Sequence, residues 1–516
     1  MKKENRNLPF FLLFITIIAI CLASWQIGRP GLYYDEMIFG NAAVGGRTDN
    51  FVRTRILGIP VFIMSYIGAL KAWIFYPLFS IFPVNCWTVR LPSILFGITG
   101  GLALVMALWR GFGRSTAVAG SVMILLDPTM LMHSRLDWGP NALMFLFRGL
   151  LILALVNWIR TKEPKWAWLA LAAISFGIFD KLNFLWIAGA AACSLILIYH
   201  RACRDFARAH PRHTIALAGL ASIGLSMALF RGIRLAEHIE TGWSYRISNA
   251  FHLLRLSFSG GGALDFISGE GLRTEPWFWP GYLAAALSAF MGWRYFFAKT
   301  PEKQLYYWII TFILFLTAAF ILTKSATGTH HSSVLSGIWQ MAIAPLLGAA
   351  WDNKDFRLRQ IRQFTVPAAL ILIFAGNIIV SLICINAFAK PANSNWDPAN
   401  TEAAIFAKRY PAADFICADW GIATQVIALT HDHPGARDGW PIFSNQDSAS
   451  LFIKNLPEGR DTYIFTRLPG FENFKGNRAR LMNALAENRT SYEVIGSWKD
   501  WQGRPMIELW HLSFDK

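Results

Sequence analysis

The sequence is poor in charged residues, which excludes an ordinary soluble protein. Asp, Glu, Lys and Arg make up only 16% of the 516 residues, whereas a soluble domain contains roughly a quarter. Hydrophobic residues account for 54%, and the mean hydropathy is +0.37. This composition is typical of a polytopic membrane protein.

Cysteine is also scarce. The six cysteines form no CxxC pair and show no spacing typical of metal ligands. Neither a disulfide framework nor a zinc site is therefore predicted. The run His431-Asp432-His433 could contribute to a metal site, but a solvated loop is the better interpretation. A glycine-rich nucleotide-binding motif is also missing from the C-terminal part of the chain.

The excess of positive charge lies in the hydrophobic part of the chain. Residues 1–387 carry 34 Lys and Arg against 17 Asp and Glu, whereas residues 388–516 carry 14 against 15. The basic residues occupy short loops between apolar runs, which argues against nucleic-acid binding. The pattern predicts a membrane domain at 1–388 and a near-neutral soluble domain at 389–516.

Eleven apolar runs predict eleven transmembrane helices. They fall at about 8–27, 87–109, 115–132, 140–159, 166–180, 182–199, 214–230, 277–293, 305–323, 333–350 and 364–387. With the N-terminus inside, the six inner segments hold 19 Lys and Arg against 6 Asp and Glu, as the positive-inside rule requires. The odd number of spans then places the C-terminal domain outside a bacterial-type cytoplasmic (inner) membrane. A cleaved signal peptide is the alternative for the first run, and an uncleaved anchor is the better interpretation because many spans follow.

The first outer loop, 28–86, combines an acidic pair with a long apolar stretch. Asp35 and Glu36 follow the first span within GLYYDE, and the apolar stretch is interrupted by Pro60, Lys71 and Pro77. We expect amphipathic helices lying on the outer membrane face, in contact with lipid. A twelfth crossing paired with a re-entrant return is the alternative.

The soluble domain is predicted to be α/β. The runs DFICADW, DTYIFTRL, SYEVIGSW and PMIELWHL have the pattern of strands, and helices are predicted at 400–409, 422–430 and 476–488. Gly503 lies between the last two runs, which favours a hairpin.

Polar side chains that are unusual for a membrane protein collect on the predicted outer face. They are Asp35, Glu36, His133, Arg135, Asp137, Asp180, Lys181, Lys324, His330 and His331. Each alone has an ordinary explanation, such as a snorkelling side chain or a solvated turn. Carboxylates and cations at one membrane depth are costly unless they are solvated or paired, so their joint occurrence indicates a functional site.

Transfer of a group from a lipid-linked phosphosugar needs these residue types. A carboxylate can take the proton of an acceptor hydroxyl, and cations or a divalent metal can stabilise the charge on a leaving lipid phosphate. In-plane helices beside the spans would provide an apolar groove for the lipid.

The motifs resemble those of the C-type membrane glycosyltransferases, in the group of protein O-mannosyltransferases and lipid A aminoarabinose transferases (glycosyltransferase family 39). The resemblance covers roughly residues 8–350. It rests on the acidic pair in GLYYDE, the run VRLPSILFG, Asp127-Pro128 ahead of Arg135-Leu136-Asp137, Lys181 closing a span, and a histidine-bearing loop before a late span. It implies a C-type glycosyltransferase fold, and an inverting transfer from a polyprenyl-phosphate sugar donor to a glycan, lipid or protein acceptor.

The resemblance also implies roles for individual residues. Asp35 would be the catalytic base or the acid that orients the acceptor, and Glu36 would support it through a metal or a neighbouring cation. Asp137 would complete the acidic centre. The residues expected to bind the donor are Lys181, Arg135 and Arg55, which would hold its phosphate, and His330 and His331, which would hydrogen-bond its phosphate or sugar or act as metal ligands. If a divalent metal ion takes part, Glu36 and Asp137 are its expected ligands. One departure is that the family often has His-Pro-Pro after the acidic loop, where this chain has Gly58-Ile59-Pro60.

Three other interpretations stay open at the level of sequence. A transporter or flippase would place ionisable residues in mid-span and show internal repeats, and only Arg148 is expected to lie deep. A membrane sensor would use the C-terminal domain as its receptor. A ligase of lipid-linked sugars would use the same chemistry on the same donors.

Overall fold

The computed structural model describes residues 7–44, 52–236, 242–296, 300–323, 328–352, 356–457 and 459–514. The chain forms two compact units. The helical unit comprises Met1–Trp25 and Leu91–Asn386, and the mixed unit comprises Gln26–Arg90 and Ala387–Lys516. The segment 26–90 is thus grouped with the C-terminal residues, whereas the predicted division into domains at 1–388 and 389–516 stays a prediction.

Each predicted span overlaps a helix. The helices of the membrane part are Asn7–Ser24, Cys86–Phe112, Arg114–Gly120, Pro128–Leu136, Asn141–Thr161, Pro164–Asp180, Phe184–Ala209, Pro211–Ala236, Trp243–Ser259, Gly261–Ser268, Glu275–Phe296, Thr300–Leu322, Ile338–Asp352 and Phe356–Phe388. Within the described residues, seven helices are long and apolar enough to cross a membrane, or eight if one bent pair is a single span. The predicted class, a polytopic helical membrane protein, is confirmed, while the number eleven stays a prediction.

The bent pair explains how one predicted span, 115–132, is built. A π-helical turn covers Ser121–Leu125, and the chain then bends by 48° before helix Pro128–Leu136. Asp127 caps this helix by accepting the backbone N–H groups of Thr129 at 2.7 Å and Met130 at 3.2 Å. Proline at the first helical position cannot continue the preceding hydrogen bonds but suits a new start. Asp-Pro therefore ends one helical segment and begins the next.

Two helices of the helical unit touch through their backbones. A Cβ on Gly149 would overlap the carbonyl oxygen of Gly100, and a Cβ on Gly100 would overlap the carbonyl group of Phe145. Small residues permit such close approach between helices in lipid, where packing replaces the hydrophobic effect as the driving force. The helices Cys86–Phe112 and Asn141–Thr161 thus pack tightly against each other.

In the mixed unit, the first segment contains three short strands in addition to helices, and the predicted position of its helices on the membrane face stays a prediction. Helix Tyr34–Ala43 is followed by an antiparallel meander of β1 (Thr54–Ile56), β2 (Ile59–Met64) and β3 (Ile67–Gly68), and then by helix Leu70–Ile81. Leu57 and Gly58 turn the first hairpin with φ of 50° and 80°, the backbone that two-residue hairpins favour. β-branched residues in β2 also favour strand over helix.

The C-terminal residues form a five-stranded sheet. Its strands are β4 (Asp414–Cys417), β5 (Ala436–Asp438), β6 (Thr462–Arg467), β7 (Thr490–Lys499) and β8 (Pro505–Phe514), and their order in the sheet is β5-β4-β6-β8-β7. The helices are Pro398–Phe406, Ile422–Leu429, Gln446–Lys454 and Asn477–Glu487. The four predicted strands and the last hairpin are present, whereas β5 and helix Gln446–Lys454 are additions. β5, β4 and β6 run parallel, and β8 runs antiparallel to β6 and β7.

The parallel strands carry helices on both faces. Phe415 and Cys417 of β4 pack in one cluster with Val426 of helix Ile422–Leu429, whereas Ile416 packs in another with Ile453 of helix Gln446–Lys454. The chain therefore leaves β4 along one face and returns to β6 along the other. The carboxyl ends of these strands form a topological switch point, where open α/β sheets bind ligands.

Candidate active site

Asp137 ends helix Pro128–Leu136 at one end of the helical unit. Its backbone is left-handed, with φ of 43°, and its side chain is 1% exposed. Oδ1 accepts the backbone N–H of Ala142 at 2.8 Å, and Oδ2 accepts the hydroxyl of Ser93 at 3.3 Å. The carboxylate therefore fastens the turn between two helices to a third, Cys86–Phe112.

Arg135 is fully buried two residues earlier. Its Nη1 donates to the carbonyl oxygens of Trp25 at 2.6 Å and Ala23 at 3.4 Å, at the end of helix Asn7–Ser24. Carbonyl groups in the last turn of a helix have no intrahelical partner. Arg135 thus caps the first helix, which gives it a structural task in addition to its charge.

Lys181 follows helix Pro164–Asp180 and is 3% exposed. Its Nζ donates to the carbonyl oxygen of Gly139 at 2.9 Å, in the turn just after Asp137. It lies within electrostatic range of His133, His330 and His331. The helical unit therefore brings Lys181, His330 and His331 together beside the turn that follows Asp137, whereas Arg135 contacts the end of the first helix.

Two histidines lie on a short 3₁₀ helix, Thr329–Val334. The rings of His330 and His331 are 4.1 Å apart, and His330 lies 4.7 Å from the ring of Trp138. His331 contacts Trp186, with ring centroids 5.3 Å apart. Ser333 lies on the same 3₁₀ helix, and its hydroxyl donates to Oδ1 of Asn141 at 3.0 Å. This hydrogen bond ties the 3₁₀ helix to the start of helix Asn141–Thr161. Lys324, predicted on the same loop, lies outside the described residues.

His133 also belongs to this group, although the sequence analysis assigned it no role. It is 1% exposed, and its Nδ1 is 2.9 Å from the carbonyl oxygen of Thr129. Within the described part of the chain, its Nε2 has no hydrogen-bond partner. Its place in HSRLDWGP, one helical turn before Asp137, was the available signal.

Asp35 lies in the mixed unit, in the first turn of helix Tyr34–Ala43. It is partly exposed, whereas the residue that follows is fully buried. Three tyrosines lie within its electrostatic range, namely Tyr33, Tyr34 and Tyr66. Burial and this carboxylate both raise the pKa of Tyr33 and Tyr66 above the ordinary value of tyrosine. The positive end of the helix dipole also favours an anion at this position.

Glu36 occupies a different environment from its neighbour. Its two oxygens accept Nε and Nη2 of Arg90 at 2.8 and 2.9 Å, and Oε2 also accepts the backbone N–H of Tyr33 at 2.9 Å. Both side chains of the ion pair are 0% exposed. Arg90 further donates to the carbonyl oxygens of Ile27, Pro30 and Gly31. The ion pair holds the segment before Asp35 in place. The sequence analysis did not predict that Arg90, which lies in VRLPS, is the partner of Glu36.

Arg55 lies on β1 of the same unit. Its Nη1 donates to the carbonyl oxygen of Gly58 at 3.2 Å across the hairpin turn. The neighbouring tip is apolar and solvent-exposed, since Leu57 is 97% exposed. The basic side chain is thus next to a surface suited to lipid contact.

Glu36 and Asp137, the predicted metal ligands, already have partners within their own units. Both oxygens of Glu36 are engaged by Arg90, and both oxygens of Asp137 accept hydrogen bonds. Across the described residues, no three His, Cys, Asp or Glu side chains form a metal-binding group. A divalent ion prefers several oxygen ligands, and the described residues of each unit offer no such set around Glu36 or Asp137.

Comparison with known proteins identifies the fold. Residues 68–226 match the family described as dolichyl-phosphate-mannose-protein mannosyltransferase. The chain is similar to ArnT from Cupriavidus metallidurans in the apo state, at 13% identity and a TM-score of 0.60, over 97% of this chain and 98% of that one. The ArnT structure bound to undecaprenyl phosphate gives 13% identity and 0.57, over 97% of both chains.

A second kind of enzyme shares the architecture more distantly. The archaeal oligosaccharyltransferase AglB from Archaeoglobus fulgidus, solved with an inhibitory peptide and a dolichol-phosphate, gives 12% identity and a TM-score of 0.51, over 90% of this chain and 70% of that one. No curated protein matches the chain by sequence. The resemblance inferred from the sequence motifs is confirmed, and the chain has the C-type glycosyltransferase fold.

Proposed function

From this C-type glycosyltransferase fold, we propose that the protein transfers a sugar from a polyprenyl-phosphate-linked donor to a glycan, lipid or protein acceptor. Transfer takes place at the extracytoplasmic face of the inner membrane, with the N-terminus inside. Solved relatives support the donor class, because one carries undecaprenyl phosphate and another carries dolichol-phosphate.

The observation that carries this proposal is the gathering of Lys181 with three histidines at one end of the helical unit. The ammonium group of Lys181 and ring N–H groups of His330 and His331 can donate to phosphate oxygens, whereas the ring N–H of His133 donates to the carbonyl oxygen of Thr129. In a water-poor site, donors already in position stabilise the charge that develops on a leaving group. The cluster therefore suits the phosphate of the departing lipid.

Asp35 is proposed as the general base. It is the partly exposed member of the acidic pair, and its helix is fixed by the buried pair of Glu36 and Arg90. The acceptor hydroxyl would give its proton to the Asp35 carboxylate as its oxygen attacks the anomeric carbon. The bond from that carbon to the phosphate oxygen breaks with inversion, and its electron pair leaves on the lipid phosphate.

The remaining residues position these groups. Glu36 anchors the helix that bears Asp35, and Asp137 holds the turn that supplies the carbonyl partner of Lys181. Arg135 ties this turn to the first helix. Arg55 is proposed to contact the donor phosphate or membrane phosphates from the hairpin of the mixed unit.

The test is transfer by the purified protein from a panel of polyprenyl-phosphate sugars, with and without a chelator. Asp35→Asn should reduce transfer by at least about 10³-fold, since the base is lost. The matched control is Asp447→Asn, which changes another aspartate in the first turn of a helix in the same unit. Thermal unfolding should be unchanged in both variants. Near-normal transfer by Asp35→Asn would contradict the proposed base.

A further inference from the structure

We propose that the carboxyl ends of β4, β5 and β6 form a saccharide-binding site, made by Tyr34, Trp420, Asp438, Trp440 and Phe474. That the bound saccharide is the acceptor rests on the proposed function. The site itself rests on the geometry of the mixed unit, and all five residues belong to it.

Each parallel strand supplies one aromatic side chain from the loop at its carboxyl end. Trp420 follows β4, Trp440 follows β5, and Phe474 lies in the segment after β6. The ring of Phe474 stacks on Trp440 with centroids 4.3 Å apart and an interplanar angle of 6°. Three aromatic residues thus lie in the loops at the carboxyl ends of these strands, the place where sheets of this kind bind ligands.

Trp420 joins this site to the helix of the proposed base. Its ring stacks on Tyr34 with centroids 4.3 Å apart, and Tyr34 immediately precedes Asp35. Trp420 also contacts Tyr33 edge to face, at 6.1 Å. A ligand held against these rings would therefore lie beside the carboxylate that is proposed to take its proton.

The loops are held in position by polar side chains rather than by the aromatic rings alone. Asn477 donates through Nδ2 to the carbonyl oxygens of Ala418 at 3.0 Å and Trp440 at 3.1 Å. Asp419 accepts the backbone N–H of Asn473 at 2.9 Å. These bonds cross-link the loops after β4, β5 and β6, so the rings are in place before a ligand binds. Such preorganisation reduces the entropy lost on binding.

Asp438 provides a polar group between the two aromatic pairs. Its Oδ2 accepts the indole N–H of Trp440 at 3.1 Å, and it lies within electrostatic range of Tyr34. Among the described residues, its Oδ1 is buried without a hydrogen-bond partner. A buried polar atom without a partner is costly, and a ligand hydroxyl would remove that cost.

The combination favours a sugar over other ligands. Flat aromatic faces pack against the C–H faces of a pyranose ring, while a carboxylate accepts its hydroxyl groups. The exposed member, Phe474, is 37% exposed, so the platform is reachable from solvent. Of the residues in this site, none is cationic, which disfavours a free phosphate as the recognised group.

The experiment measures binding of the full-length protein, in lipid nanodiscs, to an array of neutral, N-acetylated and anionic oligosaccharides. Nanodiscs avoid maltoside detergents, whose glucose units would compete. The best oligosaccharide is then titrated calorimetrically against the wild type, Phe474→Ala and Trp420→Ala. The matched control is Tyr492→Ala, because Tyr492 is 38% exposed and stacks at 4.1 Å on Trp510 elsewhere in the same unit.

We expect at least one oligosaccharide to bind, with affinity reduced at least tenfold by Phe474→Ala and unchanged by Tyr492→Ala. Absence of binding across the array, or equal losses of affinity in Phe474→Ala and Tyr492→Ala, would overturn the site. The assay contains no donor and no transfer step. Failure of the proposed transferase activity would therefore leave this result intact, and failure of binding would leave the Asp35 test intact.

Discussion

The two units of this chain differ in the partners that hold their cations. In the helical unit, Arg135, Arg148 and Lys181 each donate to backbone carbonyl oxygens at helix ends and turns. In the mixed unit, the buried Arg90 pairs with Glu36 at 2.8 Å, and the partly exposed Arg478 pairs with Glu508 at 2.7 Å. Arg90 also donates to the carbonyl oxygens of Ile27, Pro30 and Gly31, so both units use carbonyl partners, and the mixed unit adds a fully buried ion pair.

This difference bears on the proposed binding of the donor phosphate. A carbonyl oxygen satisfies an N–H donor without adding a negative charge, whereas a carboxylate neutralises the cation it binds. The end of the helical unit also gathers three histidines around Lys181. We propose that Lys181 serves the donor phosphate, whereas the pair of Glu36 and Arg90 maintains the structure of the mixed unit.

Breaking the buried ion pair of the mixed unit should have the largest effect. Glu36→Gln leaves the guanidinium of Arg90 buried without its counter-charge, which costs about 3–5 kcal/mol. The measurement is thermal or denaturant unfolding of the purified protein. The double variant Glu36→Gln with Arg90→Met should recover part of this loss. A Glu36→Gln protein with unchanged stability and lost transfer would instead show a direct role of Glu36 in catalysis.

Removing the cation of the helical unit should affect activity rather than stability. Lys181→Met is expected to lower kcat about 10²-fold, as loss of one preorganised donor does. The control is Lys162→Met, because Nζ of Lys162 also donates to a carbonyl oxygen, that of Ile159 at 2.7 Å, at the opposite end of helix Asn141–Thr161. Steady-state transfer kinetics compare the two. Equal losses in both variants would contradict the assignment of phosphate binding to Lys181.

The smallest expected effect concerns the pH dependence of the mixed unit. Burial raises the pKa of Asp438 to about 7, and hydrogen bonds from Trp440 oppose this shift. Between about pH 4 and pH 7 the folded protein then keeps a proton that the unfolded chain has released. Stability therefore falls as the pH rises through this window, by about 1.4 kcal/mol per unit of pKa difference.

Asp438→Asn should flatten the dependence of stability on pH. The measurement is the melting temperature at pH 5, 6, 7 and 8. Asp419, Tyr34 and Cys417 interact with Asp438 and remain in the variant. Burial also raises the pKa of Asp419, so some slope should persist. The exposed Asp447→Asn variant should keep the full slope. An unaltered profile in Asp438→Asn would contradict this assignment.

Local patterns in the sequence predicted much of the fold. Apolar runs located the helices, Asp127-Pro128 marked a helix start, and alternation located the strands of the C-terminal sheet. The run after Gly58 was misread because an apolar stretch of strand length has no unambiguous period. β5 has three residues, too few to carry a pattern.

Contacts between distant positions could not be predicted. Glu36 and Arg90 are 54 residues apart, and neither flanking sequence indicates the other. The placement of Trp420, Trp440 and Phe474 at one edge of the sheet depends on strand order, which local sequence does not encode. By contrast, Asp137, Lys181, His330 and His331 lie at span ends, so the span pattern with the family resemblance was enough to group them.

The contact between Gly100 and Gly149 bears on motion. Two backbones in direct contact leave little room for one helix to slide or rotate against the other, because packed interfaces have few alternative arrangements. Helices Cys86–Phe112 and Asn141–Thr161 should therefore move as one body during a catalytic cycle. Asp137, through Ser93 and Ala142, is fastened to both, so under the proposed function we expect any opening for a lipid donor in other segments.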